Sequence, residues 1–273
     1  MPLNAAHGAM TFTLPPDLVA YLEEIDNFII TKIAPLQASD DNERFFDHRR
    51  EHARTNWDNQ GLPREDWEEL LVQARRLADE AGFYRFCLPE AFGGKNGSNL
   101  WMAVIRMHLA KKGLGLFNDL QNEHSIVGNF PDILMVKEFG TQGLLPLFDH
   151  ESNVDYTLDQ KKEFIQGRLE GRVSFAFGLT EPNHGSDATH MFTHAVRTTR
   201  NGIDGWAIDG QKMWISGMHK ATHCLVFART HGKAGDAYGI TAFYVPKNTP
   251  GFKIESYEWT FNMPTDHASK DLF

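Results

Sequence analysis

The run RVSFAFGLTEPNHGSD, residues 172–187, divides the chain into two kinds of pattern. Its first part, Val173–Gly178, is an apolar stretch of Val, Phe and Ala of the sort that fills a strand. Its second part, LTEPNHGSD at 179–187, packs an acid, a proline, a histidine, a glycine, a serine and a second acid into nine positions. Upstream the apolar residues recur at helical spacing, and downstream they come in short β-rich runs, so the fold is read outward from this point.

Between Asp17 and Gln37, Leu18, Leu22, Ile25, Ile29 and Ile33 fall on one face and predict a single amphipathic helix. Pro63 opens a second pattern in which Trp67, Leu70, Leu71, Ala74, Leu77 and Ala78 share a face as far as Gly82. Ser98 is placed to cap a third helix from Asn99 to Lys112. Shorter helical pieces are expected at 116–127, 131–139 and 160–166. Residues 1–170 therefore read as an all-α domain. From Gly171 onward the runs HAVRTTRNGIDGWAIDGQKMWIS, HCLVFART and GITAFYVPK are separated by Asn-Gly, Asp-Gly and Gly-rich turns, the chemistry of antiparallel hairpins. Residues 171–273 are expected to form a small antiparallel β domain closed as a barrel or sandwich. The fold class is α+β.

The 273 residues are 41% hydrophobic and 23% charged, with a net charge of −9. No stretch reaches the roughly 18 apolar residues of a transmembrane helix. An acidic chain with no basic stripe excludes a nucleic-acid partner, which needs concentrated Lys and Arg. Two cysteines, Cys87 and Cys224, far apart and in apolar settings, read as buried thiols of a reducing compartment. The start MPLNAAHGAM has neither a secretory pattern nor transit-peptide arginines, so a soluble intracellular location is expected, its compartment unresolved.

Three chemistries fit the nine residues. Glu181 and Asp187 could form an acid/base pair, but acids beside Pro and Gly are commonly turn formers. His184, His190 and His194, with His219 and His223 later, could hold a metal. His-x3-His outside a helix does not bring both rings to one face, so surface or capping histidines are the plainer account. The third reading is a backbone cradle: Pro182 fixes φ and removes a donor, Gly185 permits close approach, and nearby N–H and hydroxyl groups face a ligand. GQKMWIS at 210–216 adds Trp214 and Ser216, two apart and hence on one side of a strand. An indole beside a hydroxyl suits a flat heteroaromatic ring. A core Trp with a Ser at the strand end remains the alternative on these residues alone.

Taken together, five stretches in order resemble the acyl-CoA dehydrogenase family. FAFGLTEPNHGSD resembles its flavin-loop signature, DGWAIDGQKMWISGMHKATHCLVFART its following hairpin, and GITAFYVPKNTPGF its later strand pair. FCLPEAFGG and EFGTQGLLPLF resemble two patches of its helical domain. The resemblance implies FAD as cofactor, with Phe177, Leu179, Thr180, Trp214, Ile215 and Ser216 at the flavin, and acyl-CoA as substrate at Gly185 and Ser186. It implies α,β-dehydrogenation of an acyl-CoA thioester, with electron-transfer flavoprotein as acceptor and a homodimer or homotetramer as the assembly. Glu181 and Asp187 then brace the loop. The family's catalytic base, a glutamate of a C-terminal four-helix bundle, is expected beyond Phe273, so no catalytic residue is assigned. The final run HASKDLF is expected to begin a strand with nothing to pair it, as in a truncated chain. The alternative readings are a non-enzymatic acyl-CoA-binding or partner-binding remnant of that family, and a related acyl-CoA oxidase or nitroalkane oxidase; NMPTDHA resembles a subset of the family that leans towards longer acyl chains.

Overall fold

The computed structural model describes residues 13–118, 126–128, 130, 132–134, 144–145, 158–200, 203–258 and 267–269. The chain divides into two compact units, Met1–His48 with Glu69–Asn129, and Arg49–Glu68 with Phe130–Phe273.

In the first unit, α1 (Pro16–Phe28) buries Leu18, Tyr21, Leu22, Ile25 and Phe28. The helix expected to run unbroken to Gln37 instead passes through a π-helical turn at Ile29–Ile33 before α2 (Ala34–Ala38). Pro35 explains the interruption, because its ring lacks the N–H of an interior helical bond and crowds the preceding turn. Helix α3 (Glu65–Glu80) starts two residues after Pro63, with Glu65–Glu68 counted in the second unit and the rest in the first, and its residues Leu71, Ala74 and Ala78 have no exposed surface. Helix α4 (Asn99–Ala110) begins at the predicted cap, where Ser98 Oγ accepts from the Trp101 amide at 3.2 Å. Much of the helix expected at 116–127, and most of that at 131–139, lies outside the described residues. Leu116–Asn118 form a turn closed by a Gly115–Asn118 bridge.

The second unit begins with the short pair β1 (Thr55–Asn56) and β2 (Leu62–Pro63) and includes α5 (Leu158–Leu169). Its main sheet contains β3 (Leu144–Leu145), β4 (Phe175–Gly178), β5 (His194–Arg200), β6 (Ile203–Asp209), β8 (His223–Arg229) and β9 (Ile240–Pro246). The strand order is β3-β9-β8-β5-β6, with β4 also paired to β8. Pairs β5/β6 and β8/β9 are the antiparallel hairpins expected from the turn residues, although Asn201 and Gly202 lie outside the described residues. Pairs β3/β9, β4/β8 and β5/β8 are parallel.

The sheet is therefore mixed and open, not an antiparallel barrel or sandwich. Turn chemistry reports only which consecutive strands fold back on each other. It carries no signal for parallel pairing between strands such as β4 and β8, whose partners are 48 residues apart in the pair Phe175 and His223. The core follows the pleat: Cys224, Val226 and Ala228 of β8 meet Val245 and Phe243 of β9, with Ala176, Ala195 and Ile208 completing the layer.

A second sheet has the order β10 (Ser256–Glu258), β11 (His267–Ser269), β7 (Ile215–Ser216). The run expected to lack a partner is its central strand, with Tyr257 and Ile215 both opposite Ala268. That partner is missed in the sequence because β7 is only two residues long and shows no alternation of its own. Among the described residues, no helix is long and apolar enough to cross a membrane.

Candidate functional site

Strand β4 delivers the 179–187 loop. Gly178 ends the strand where a Cβ would lie 2.8 Å from Cys224 Sγ, so only glycine fits against β8 without displacement. The chain then turns tightly: the Glu181 amide donates to His184 O at 3.0 Å and the His184 amide returns to Glu181 O at 3.2 Å, enclosing Pro182 and Asn183.

The Glu181 side chain points inward. Its carboxylate accepts from the Phe192 amide at 2.7 Å, the Thr193 amide at 2.9 Å and Lys212 Nζ at 2.8 Å. Lys212 is 0% exposed and also donates to Leu179 O at 3.1 Å. Burial alone would raise the Glu181 carboxyl, but the bonds from Lys212, Thr193 and Phe192 hold it below the ordinary value. Burial lowers the Lys212 ammonium, and Glu181 opposes that shift. Asp187 ends the loop by accepting from Thr189 N–H and Oγ1, with His190 Nδ1 at 2.6 Å. These partners, Thr189 foremost, hold its carboxyl below the usual range. Both acids are occupied as loop braces. A charge inside the otherwise apolar KMWI run was the sequence signal for Lys212, but its partner 31 residues away was not readable.

The same pair positions the second motif. Met213 N–H donates to Thr180 O at 2.9 Å, so the segment that carries Trp214 runs beside the loop. Gly210 makes the approach possible at φ 155°, with its missing Cβ 2.4 Å from Thr193 Oγ1 and 2.6 Å from Thr193 Cα. Trp214 follows with φ 58°, a left-handed conformation that a bulky L-residue adopts only where its surroundings impose it. Its indole is 48% exposed.

Of the eight sequence-predicted residues, Leu179, Thr180 and Trp214 are thus drawn together through Lys212 and Met213. Phe177 is 49% exposed and packs against Phe227 with ring centroids 4.9 Å apart. Ser216 is exposed on β7, whereas the Ile215 side chain is in the core. Gly185 and Ser186 are exposed beyond the turn, and a Cβ on Gly185 would meet nothing within 4 Å. A cavity of about 570 Å³ opens on the outer side of the loop, between Pro182, Asn183 and Phe192 and the residues Gln211, Lys253 and Glu255. None of the eight residues lines it. His184 and His190 stack at 6.1 Å between centroids, and among the described residues no group of three His, Cys, Asp or Glu side chains is arranged to hold a metal.

Helices followed by a mixed sheet, with two loop segments locked by a buried Glu–Lys pair and presenting half-exposed aromatic rings, define the class of protein. Residues 176–270 match the family model for the acyl-CoA dehydrogenase middle domain. Glutaryl-CoA dehydrogenase of Desulfococcus multivorans is 27% identical over 252 residues, covering 91% of this chain and 52% of its own. The short-chain specific acyl-CoA dehydrogenase of Megasphaera elsdenii is 36% identical over 209 residues, 76% of this chain and 47% of its own. The crystal structure of a Mycobacterium smegmatis glutaryl-CoA dehydrogenase in complex with FADH2 superposes with a TM-score of 0.55 at 20% identity, over 95% of this chain and 53% of that one. The chain belongs to the acyl-CoA dehydrogenase family. It spans about half the length of the curated relatives it matches.

Proposed function

We propose that this chain forms the flavin-facing and acyl-CoA-facing surface of an FAD-dependent acyl-CoA dehydrogenase, with residues 1–170 as its helical part and 171–273 as its β part. The observation that carries the reading is Trp214, a half-exposed indole held at positive φ beside Thr180. Strain of this kind is retained where a side chain serves a ligand. The exposed rings of Phe177 and Trp214, the Thr180 and Ser216 hydroxyls and the main chain at Leu179 and Ile215 fit a flat heteroaromatic group with one polar edge. Bound FAD supplies the two-electron acceptor that dehydrogenation of an acyl-CoA thioester needs.

The chain's own residues bind and orient. Trp214 excludes water from one ring face, and Ser216 offers a hydroxyl at its edge. The Glu181–Lys212 pair fixes the Leu179 and Thr180 backbone, while Gly185 and Ser186 leave room for the thioester chain. Glu181 is not the base in this reading, because its carboxylate is already paired and bonded to two amides. Electron-transfer flavoprotein as acceptor and a homo-oligomeric assembly belong to the same proposal.

Titrating the chain into FAD tests it directly. Saturable quenching of flavin fluorescence is expected, and Trp214→Leu should weaken binding about tenfold by loss of ring stacking. A wild-type chain that leaves FAD fluorescence unchanged would remove the proposal.

A further inference from the structure

The turn that follows Trp214 and Ser216 is tied down from two directions. Gly217 O accepts from the Lys220 and Ala221 amides, and Met218 and Ala221 are buried. Lys247 Nζ donates to Met218 O at 3.2 Å and His219 O at 2.8 Å. From the other direction comes Glu68, in the first turn of α3. Its carboxylate lies 3.3 Å from His219 Nε2 and receives Lys220 Nζ at 2.9 and 3.2 Å. Burial would raise this carboxyl, but His219 and Lys220 hold it at about 2, so it is ionised at neutral pH. An ionised carboxylate only accepts, so Nε2 carries the proton. Among the described residues His219 Nδ1 is buried without a hydrogen-bond partner, which leaves Glu68 as the polar contact that fixes the ring.

Trp214 needs such fixation. Its left-handed backbone is unfavourable and persists only if the flanking chain is over-determined. On the upstream flank Lys212 and Met213 are anchored to Leu179, Thr180 and Glu181. On the downstream flank β7 is only two residues long, and the next tether is the 217–221 turn.

We propose that Glu68 is a positioning residue for the aromatic wall: by gripping His219 and Lys220 it sets the bend that presents Trp214 and Ser216. The ligand consequence of this bend rests on the flavin reading above.

The test uses the whole chain labelled with 5-fluorotryptophan and followed by fluorine NMR, with the Trp214 line identified by its loss in Trp214→Phe. Glu68→Gln should displace or split the Trp214 line while the Trp101 and Trp206 lines stay in place. The His219→Gln/Lys220→Met double variant should displace it similarly, and combining all three changes should displace it no further. An unmoved Trp214 line in Glu68→Gln overturns the proposal. Joint movement of the Trp206 and Trp214 lines also overturns it, since Glu68 would then be a general support of the fold. In the FAD titration Glu68→Gln should raise Kd about tenfold, the scale expected for loss of charge-assisted bonds. If the wild-type chain binds no FAD, the flavin reading fails while the Trp214 line still decides the role of Glu68.

Discussion

Lys212 carries a charge with no exposed surface, and among the described residues its ion-pair partner is Glu181 at 2.8 Å. Removing one member of such a pair strands the other in a low-dielectric setting, whereas removing both leaves a neutral, packable site. Lys212→Met is therefore expected to destabilise the chain by about 3–5 kcal/mol in urea unfolding. The Glu181→Gln/Lys212→Met double variant should recover more than half of that loss. Equal loss in the single and double variants would show that the lysine stem, not its charge, is what the fold requires. The nine-residue loop changes meaning at this scale. Its two acids, the obvious chemistry in the sequence, face inward or cap a turn, and its ligand-facing candidates are the uncharged residues around them.

At the scale of elements, what could be read from the sequence was whatever is settled locally. Helical spacing located α1 and α3, Ser98 marked the N-cap of α4, and β-rich runs split by turns located the two long hairpins. The π-helical turn was readable in principle from Pro35. Parallel pairing of β4 with β8 was not, because it is decided by packing between distant strands. Nor was the link from Glu68 to His219, 151 residues away. Trp214 and Ser216 were expected on one side of a strand, but Trp214 lies before β7 at φ 58°, where the 210–213 segment is drawn to Thr180 and Thr193. Gly210 is the hinge of that approach. Gly210→Ala would drive a Cβ into the backbone of Thr193, and overpacking of this kind is expected to cost about 1–3 kcal/mol in chemical denaturation. It should also weaken FAD quenching, because Thr193 donates to Glu181. A variant as stable as wild type would mean that β5 shifts freely.

For the whole molecule the sign of the acid response follows from its carboxylates. Glu68 is held at about 2 against an ordinary 4.5, so its contribution is complete above pH 4.5 and is lost as pH falls from there through about 2. Glu181, also held low, acts in the same direction. Asp132 acts in the opposite one, since burial pushes its carboxyl up despite Arg168 at 2.6 Å. The Tm gap between wild type and Glu68→Gln should be widest near neutral pH and close as pH drops across that window. A gap that stays constant down to pH 2 would separate Glu68 from the acid response. The three-stranded sheet has a consequence of another kind, one of timing. In the order β10-β11-β7, the strand that continues from Trp214 takes its ladder partner from residues 267–269. A growing chain therefore presents Ile215 and Ser216, next to Trp214, some fifty residues before their ladder partner exists.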